Sequence, residues 1–584
     1  MKNALIKEKI PLIIILGLYL ISFIITWGHC GDLILDCGRE AYIPYAIAHG
    51  KALYRDIFCI YGPFPYLFNT FFYKIFGANL AILYIIGGTA GAVYTLGIYF
   101  SSREFLSKSI SVCICALMMY AVIFDTGIFN FIFPYSYAMV FACSMAIWIL
   151  FCLIKYIKTK KPHFMHICAL LWGGICVCKI DFIPVIIPII AIFLLYEKNK
   201  RKEFFKFLLY ALIIPAVTYL VLFAQGVAFS DILKNSSYVS QMLKSESLKT
   251  FYGNYSLLSF NPAHFRENFI DLIANLFICT IFFLTTLFAL RLKRKTLKYT
   301  LCVFIALFCY IILFLQEEIP QKMFSLAPYI CTIIFTALFL NYLRLKDYKN
   351  TISVSILTLF GFSLLCSIKN FNGLMLGFYG AYSFGGLLIC LCVFIRDLLQ
   401  NNVLYNTKQQ YEGTLCALLI ILALIFLNPL IFSILRENIA VTSKYGTHKA
   451  IPSLAAPFNE ALEYLKNHSK DSDSLLVMPE GIMLNFLSGR NWDFYQTSFI
   501  PLDFDTFQNH NTIEYIALKK PQFIAFTSRN TSEYGKTRIC RDYGVGVCRY
   551  VIDNYSLEAA FGEKFRIFIF KYLKEDMKNE EGQQ

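Results

Sequence analysis

Charge is scarce in this 584-residue chain: Lys, Arg, Asp and Glu together make up 16% of it, against 58% hydrophobic and 17% aromatic residues. A protein of this length cannot hold so much apolar surface away from water with so few ionised side chains, so a water-soluble class is excluded. Histidine is rarer still, with 8 residues; His29, set near Asp32 and Asp36, could bind a metal ion. The glycine-rich phosphate loop, the dinucleotide fingerprint and the nucleophile elbow are all missing, which removes the commonest nucleotide-dependent and serine-hydrolase chemistries. No internal repeat is visible, which counts against a transporter built from duplicated halves.

What is present is a series of apolar runs from Ile10 to beyond Phe432. A membrane-spanning helix needs roughly 20 such residues, and the chain offers about thirteen runs of that kind. The first, Ile10 to Trp27, follows Lys2, Lys7 and Lys9 as a signal peptide would. It is long enough to span a bilayer, however, and Gly28 to Gly31 lead into acids instead of a small-residue cleavage site, so a retained helix is expected.

Basic stretches recur after alternate runs: "SSREFLSKS", "KYIKTKK", "EKNKRKEFFK", "RLKRKTLK" and "RLKDYKN". Basic residues in short loops stay cytoplasmic, which puts these and the N-terminus on the cytoplasmic side. The opposite face receives residues 28–79, the "KIDF" junction at Lys179, the loop Phe229 to Asn268, "QEEIPQK" with Lys322, and everything after the last run. The net charge of +15 is therefore a topology signal, and no nucleic-acid partner is implied. The expectation is a multi-pass protein of a cell membrane, and the short loops favour a bacterial inner membrane.

From about Arg436 the apolar runs shorten to strand length and Asp, Asn and Pro become common. "APFNEALEYLKNHS" has helical spacing, while "SLLVMP", "QFIAFTS" and "FRIFIFKYL" read as short strands. The expected fold is thus mainly α, with the membrane part at 1–435, interfacial helices in the first outer loop at about 28–79, and an extracytoplasmic α/β domain at 436–584. Most of the 20 cysteines fall inside apolar runs, where Cys acts as a small hydrophobe. Cys540 and Cys548, beyond the last run, form either a local disulfide or two free thiols.

The first outer loop is where charge concentrates. Asp32, Asp36, Arg39, Glu40, Arg55 and Asp56 stand among Tyr42, Tyr45, Tyr54, Tyr61 and Tyr66, a mixture suited to helices lying in the bilayer interface. Carboxylates held beside basic side chains and apolar surface are candidates for general-base work, because desolvation and neighbouring charge tune them.

"DCGREAY", "AHGKALYRDIF" and "YGPFPYLFNTFFYKIFG" resemble the first outer loop of the polytopic, polyprenyl-phosphate-sugar-dependent glycosyltransferases of the C superfold. That group contains protein O-mannosyltransferases and the lipid A aminoarabinose transferase. The resemblance implies an inverting hexosyl- or pentosyltransferase that works without cofactor or metal. Its donor is a lipid-phosphate sugar held at the bilayer, and its acceptor a glycolipid, polysaccharide or protein of the cell envelope. By the same resemblance Asp36 matches the catalytic carboxylate, with Asp32 and Glu40 as competitors. Asp56 is expected to pair with Arg55 or Arg39, and Tyr61 to help wall the cavity.

A departing lipid phosphate gains negative charge that Lys or Arg stabilises. Lys179, beside Asp181 at the outer end of two apolar runs, is the first candidate, followed by Arg39 and Arg55; Lys322 reads as a loop charge. The long stretch Phe229 to Asn268 is either a flap over the site or a solvated loop. "PEGIMLNFLSGR" resembles an element in the C-terminal domain of some bacterial members, which implies that Glu480 and Arg490 either form a structural pair, the favoured reading, or touch the acceptor. Two other classes remain open from sequence: a transporter of lipid-linked saccharides and a non-catalytic envelope-assembly protein.

Overall fold

The computed structural model describes residues 2–197, 199–255, 273, 327–345, 350–372, 379–400, 408–507 and 509–573. The expected features at "RLKRKTLK", Lys322, Phe260 and Arg266 lie outside them. Six described stretches are helical, long and apolar enough to cross a membrane: Leu80–Arg103, Tyr137–Thr159, Lys200–Ala224, Ala327–Leu345, Tyr379–Leu398 and Tyr411–Arg436. Five shorter apolar helices accompany them, beginning with Lys9–Ile25. The fold is mainly helical, as expected, but a count of thirteen spans is not established.

Helix α1 (Lys2–Ile25) carries the first apolar run. Between it and α4 (Leu80–Arg103) the first outer loop folds into two short helices, α2 (Cys37–Ala48) and α3 (Phe64–Phe76). Pro65 in the first turn of α3 suits a position that needs no backbone donor, and Asn79 caps α4 by accepting from the Ala81 N–H at 2.9 Å. Helices α5 (Lys108–Met118), α6 (Tyr137–Thr159) and α7 (Pro162–Cys176) follow. A 3₁₀ turn, Ile180–Val185, leads into α8 (Ile186–Tyr196) and then α9 (Lys200–Ala224).

Of the stretch Phe229 to Asn268, the described part forms two helices, α10 (Phe229–Lys244) and α11 (Glu246–Tyr255). Asn235 of α10 is buried: its amide bonds both backbone groups of Cys59, at 2.8 and 3.1 Å. Helices α12 (Ala327–Leu345), α13 (Thr351–Cys366), α14 (Phe384–Gln400) and α15 (Lys408–Arg436) complete the apolar part.

Every named strand comes after Arg436. Strands β1 (Ile439–Ser443) and β2 (Gly446–Ala450) form an antiparallel hairpin. Strands β3 (Leu475–Met478), β4 (Phe523–Thr527), β5 (Tyr555–Phe561) and β6 (Ile567–Tyr572) make a second sheet in the order β3-β4-β6-β5, parallel only between β3 and β4. Beside them lie α16 (Pro452–His468), α17 (Met483–Ser488) and α18 (Pro501–Phe507). The helix and three strands read from the sequence are present; the hairpin and β5 were not foreseen. Cys540 and Cys548 are joined in a disulfide.

This α/β region sits on the first outer loop. The Tyr42 hydroxyl accepts from the Trp492 N–H at 2.7 Å, the Phe58 N–H donates to the Tyr495 carbonyl at 2.7 Å, and Lys51 meets Asp493 at 3.6 Å. The loop is also laced to the end of α7: the Gly62 N–H donates to the Cys178 carbonyl at 2.9 Å and the Phe64 N–H to that of Val177 at 3.1 Å. A Cβ at Gly62 would lie 2.2 Å from the Val177 carbonyl oxygen, so only glycine permits this approach. Gly62→Ala is expected to cost about 1–3 kcal/mol, read as a lowered thermal unfolding midpoint of the purified protein; an unchanged midpoint would refute the close packing.

Candidate active site

The lacing of Gly62 to α7 sets Tyr61 directly beneath Lys179, whose ammonium lies 3.8 Å from the ring centroid. Lys179 is buried (8% of its side chain exposed) and stands 3.7 Å from Asp181. Burial pushes its pKa down to about 7, helped by the charges of Lys369 and Arg39 and opposed by Asp181. Asp181 is shared, because Lys369 reaches the same carboxylate oxygen at 2.9 Å. The result is a pair of lysines held by one carboxylate over an aromatic floor.

Arg39 completes the cationic side. Its guanidinium lies 2.7 Å from Asp36, 3.4 Å from Glu40 and 2.8 Å from the Tyr135 carbonyl, with its carbon 5.2 Å from the Tyr61 ring centroid. Asp36 stands at the N-terminal end of α2 with 28% of its side chain exposed. Glu40 is fully buried and both oxygens are engaged, one by the Tyr66 hydroxyl at 2.7 Å and the other by the Tyr137 N–H at 2.9 Å. Asp32 spends one oxygen on the backbone N–H groups of Ile34 and Leu35, at 2.6 and 2.8 Å, an Asx-type turn that delivers the chain into α2. Burial raises the pKa of both Asp32 and Glu40.

These groups surround one cavity of about 1000 Å³. Of the expected residues, Asp32, Asp36, Arg39, Tyr61, Lys179 and Asp181 line it, while Glu40 lies behind Arg39. Arg55 and Asp56 are not among the lining residues. Asp56 pairs with Arg55 at 2.7 Å and accepts from the Ala52 N–H, and Arg55 turns outward to the carbonyls of Gln225 and Gly226. A phosphate-binding place for Arg55 is therefore not supported, because its own neighbour and a distant loop hold it.

The opposite wall comes from the α/β region and was largely missed in the sequence. Glu480 meets Arg529 at 3.2 Å, and Arg529 also bonds Glu533. Burial lifts the Glu480 pKa to about 8, against the pull of Arg529 and with the charge of Asp36 adding to the rise. Asp503 accepts from the Ser498 hydroxyl at 2.7 Å and the Ile500 N–H at 3.1 Å, and burial lifts its pKa to about 7. Glu480 and Arg490 do not pair with each other: Arg490 meets Asp471 at 2.8 Å and caps α16 through the carbonyls of Leu465 and Ser469. Helices α10 and α11 close a side of the cavity with Met242, Leu248, Phe251 and Tyr252.

The model of the dolichyl-phosphate-mannose-protein mannosyltransferase family matches residues 61–224, a stretch that starts at Tyr61 and holds Lys179 and Asp181. No curated protein matches the sequence. Among solved structures, the chain is similar to the archaeal oligosaccharyltransferase AglB from Archaeoglobus fulgidus in complex with an inhibitory peptide and a dolichol-phosphate. That likeness has 12% identity and a TM-score of 0.46, and covers 96% of this chain and 74% of that one. It is also similar to ArnT from Cupriavidus metallidurans bound to undecaprenyl phosphate, with 11% identity and a TM-score of 0.47, covering 96% of this chain and 97% of that one.

An anion placed at Lys179 favours its charged form, so binding takes up a proton and weakens as pH rises through about 7. Sulfate, whose charge is constant across this range, is the probe: its affinity is expected to fall several-fold between pH 6 and 8. In Lys179→Met most of that slope disappears; an equal slope in both proteins would place the titrating group elsewhere.

Proposed function

We propose that this protein is a membrane glycosyltransferase that moves a sugar from a polyprenyl-phosphate donor to an acceptor hydroxyl or amine at the extracytoplasmic face. The observation that carries the reading is that one cavity joins an accessible carboxylate, Asp36, to a cationic wall of Lys179, Lys369 and Arg39. The family match over residues 61–224 supports it.

In this reaction the acceptor oxygen or nitrogen attacks the anomeric carbon from the face opposite the phosphate. Its proton passes to an Asp36 oxygen as the new glycosidic bond forms. The bond from the anomeric carbon to the phosphate oxygen breaks, its electron pair leaves with the lipid phosphate, and the configuration inverts. Asp36 suits the base role because one of its oxygens has no partner among the described residues and its side chain reaches the cavity. Glu40 has no oxygen to spare, and Asp32 is committed to its own turn. Glu40 instead positions Arg39, which in turn orients Asp36. Lys179 and Lys369 answer the charge that grows on the phosphate, and Asp181 is the carboxylate they leave when it arrives.

A transport path would place ionisable groups along the spans. The charged residues described here gather between the helix ends and the α/β region, which favours transfer over transport. The same arrangement supports an extracytoplasmic C-terminal region and, by the alternation of basic loops, a cytoplasmic N-terminus.

Asp36→Asn should lower sugar transfer from a labelled polyprenyl-phosphate donor by about 10²–10⁴-fold, measured in membranes with equal protein levels. Asp32→Asn should keep more of the activity. Full transfer by Asp36→Asn would reject it as the base.

A further inference from the structure

The half of the cavity facing away from the lysines is built for a ligand that the donor does not supply. Asp503 is 6% exposed, lines the cavity, and spends one oxygen on Ser498 and Ile500 while the other has no partner among the described residues. Glu480 likewise gives one oxygen to Arg529 and keeps the other free among the described residues. Neither of these free oxygens is a buried orphan; both residues line the cavity, where a ligand can donate to them.

Asp36 adjoins this half: its charge bears on Glu480, Asp503 and Tyr534. Arg529, the cation of the wall, is held by Glu480 and Glu533. With Arg529 so held, an incoming phosphate or carboxylate group meets no uncommitted cation on this side among the described residues, whereas hydroxyls meet carboxyl oxygens able to accept from them. Beside them Phe251 and Tyr534 stack at 5.3 Å with 22° between their planes, and rings of this kind offer flat, amphipathic faces for the apolar side of a sugar.

We propose that Glu480, Asp503 and the Phe251–Tyr534 ring pair form an acceptor subsite for a neutral, polyhydroxylated saccharide. This rests on the transferase reading and adds to it the class of acceptor. Vicinal hydroxyls donate to the free carboxylate oxygens, one ring face of the sugar lies on the aromatic wall, and the hydroxyl nearest Asp36 is the one that attacks. Raised carboxyl pKa values, about 8 for Glu480 and about 7 for Asp503, suit hydroxyl ligands further, since a carboxyl that is partly protonated at neutral pH both donates and accepts.

The test is equilibrium binding without donor, using the full chain in lipid nanodiscs. The probes are neutral hexose and pentose oligosaccharides, the same oligosaccharides carrying phosphate, carboxylate or amine groups, and serine- and threonine-containing peptides. Neutral oligosaccharides should bind, and the charged forms and peptides should bind at least about tenfold more weakly. Asp503→Asn and Glu480→Gln should each weaken the neutral ligands by about tenfold or more with the thermal unfolding midpoint of the parent protein. Asp503→Asn leaves the Arg529 pairs untouched and so decides the matter if Glu480→Gln fails to fold. Preference for an anionic, cationic or peptide probe, failure to bind any neutral saccharide, or parent-like binding by Asp503→Asn overturns the assignment. Because no donor is present, loss of the transferase reading would leave this result standing, and Asp36-dependent transfer without neutral-saccharide binding would sink the subsite alone.

Discussion

The guanidinium of Arg39 is the contact on which the site depends. It is wedged between Asp36, Glu40, the Tyr135 carbonyl and the face of Tyr61, and each neighbour is fixed by a different part of the chain. Removing so buried a cation would leave Glu40 a fully buried carboxylate with only a hydroxyl and an amide against its charge, a costly state. Glu40 in turn is tied to α3 through Tyr66 and to the start of α6 through Tyr137. The orientation of Asp36 is therefore set by the helical body as well as by the short helix that carries it.

A second constraint is the seating of the C-terminal region. Gly38, the second residue of α2, has no room for a side chain, because a Cβ there would lie 2.6 Å from the Met483 backbone nitrogen. The hairpin reaches the same level from the other side, where the Lys449 N–H donates to the Gly28 carbonyl at 2.8 Å and Tyr84 meets His448 at 3.0 Å. Contacts of this kind on both flanks of the cavity keep its two walls in register. A carboxylate on α2 and carboxylates beyond residue 480 can then act on one ligand.

The membrane class and the C-terminal α/β region were legible because their signals are local: apolar run length, charge density, and strands bounded by polar residues. Asp36, Arg39 and Lys179 stood out because ionisable residues are conspicuous among apolar ones. Lys369, Asp503 and Arg529 carried no such signal, being ordinary polar residues in short helical turns and loops that the fold brings to the cavity from far along the chain. Arg55 misled for the converse reason, while Asp56 pairs with it as expected. Arg55 belongs to the same charged stretch as Asp36, yet the tight turn that bonds Asp56 to Ala52 directs it toward Gln225 and away from the cavity. The described part of Phe229 to Asn268 forms helices, where Asp231 caps the Ala228 N–H at 2.8 Å and starts α10.

The distribution of charge across the cavity has a direct chemical meaning for the proposed transfer. As the reaction proceeds, Asp36 loses negative charge by gaining a proton and the lipid phosphate gains negative charge by losing its sugar, so negative charge crosses the cavity. Asp36 adjoins Asp32, Glu480 and Asp503 in the cavity wall, and the share of negative charge these carboxyls carry favours taking up that proton. The phosphate side is furnished with Lys179 and Lys369, which favour the charge that arrives there. Both halves thus oppose the charge distribution before transfer and favour the one after it. Arg39 works against this by stabilising the ionised carboxylate, a necessary opposition, since Asp36 has to reach the reaction unprotonated to act as a base at all.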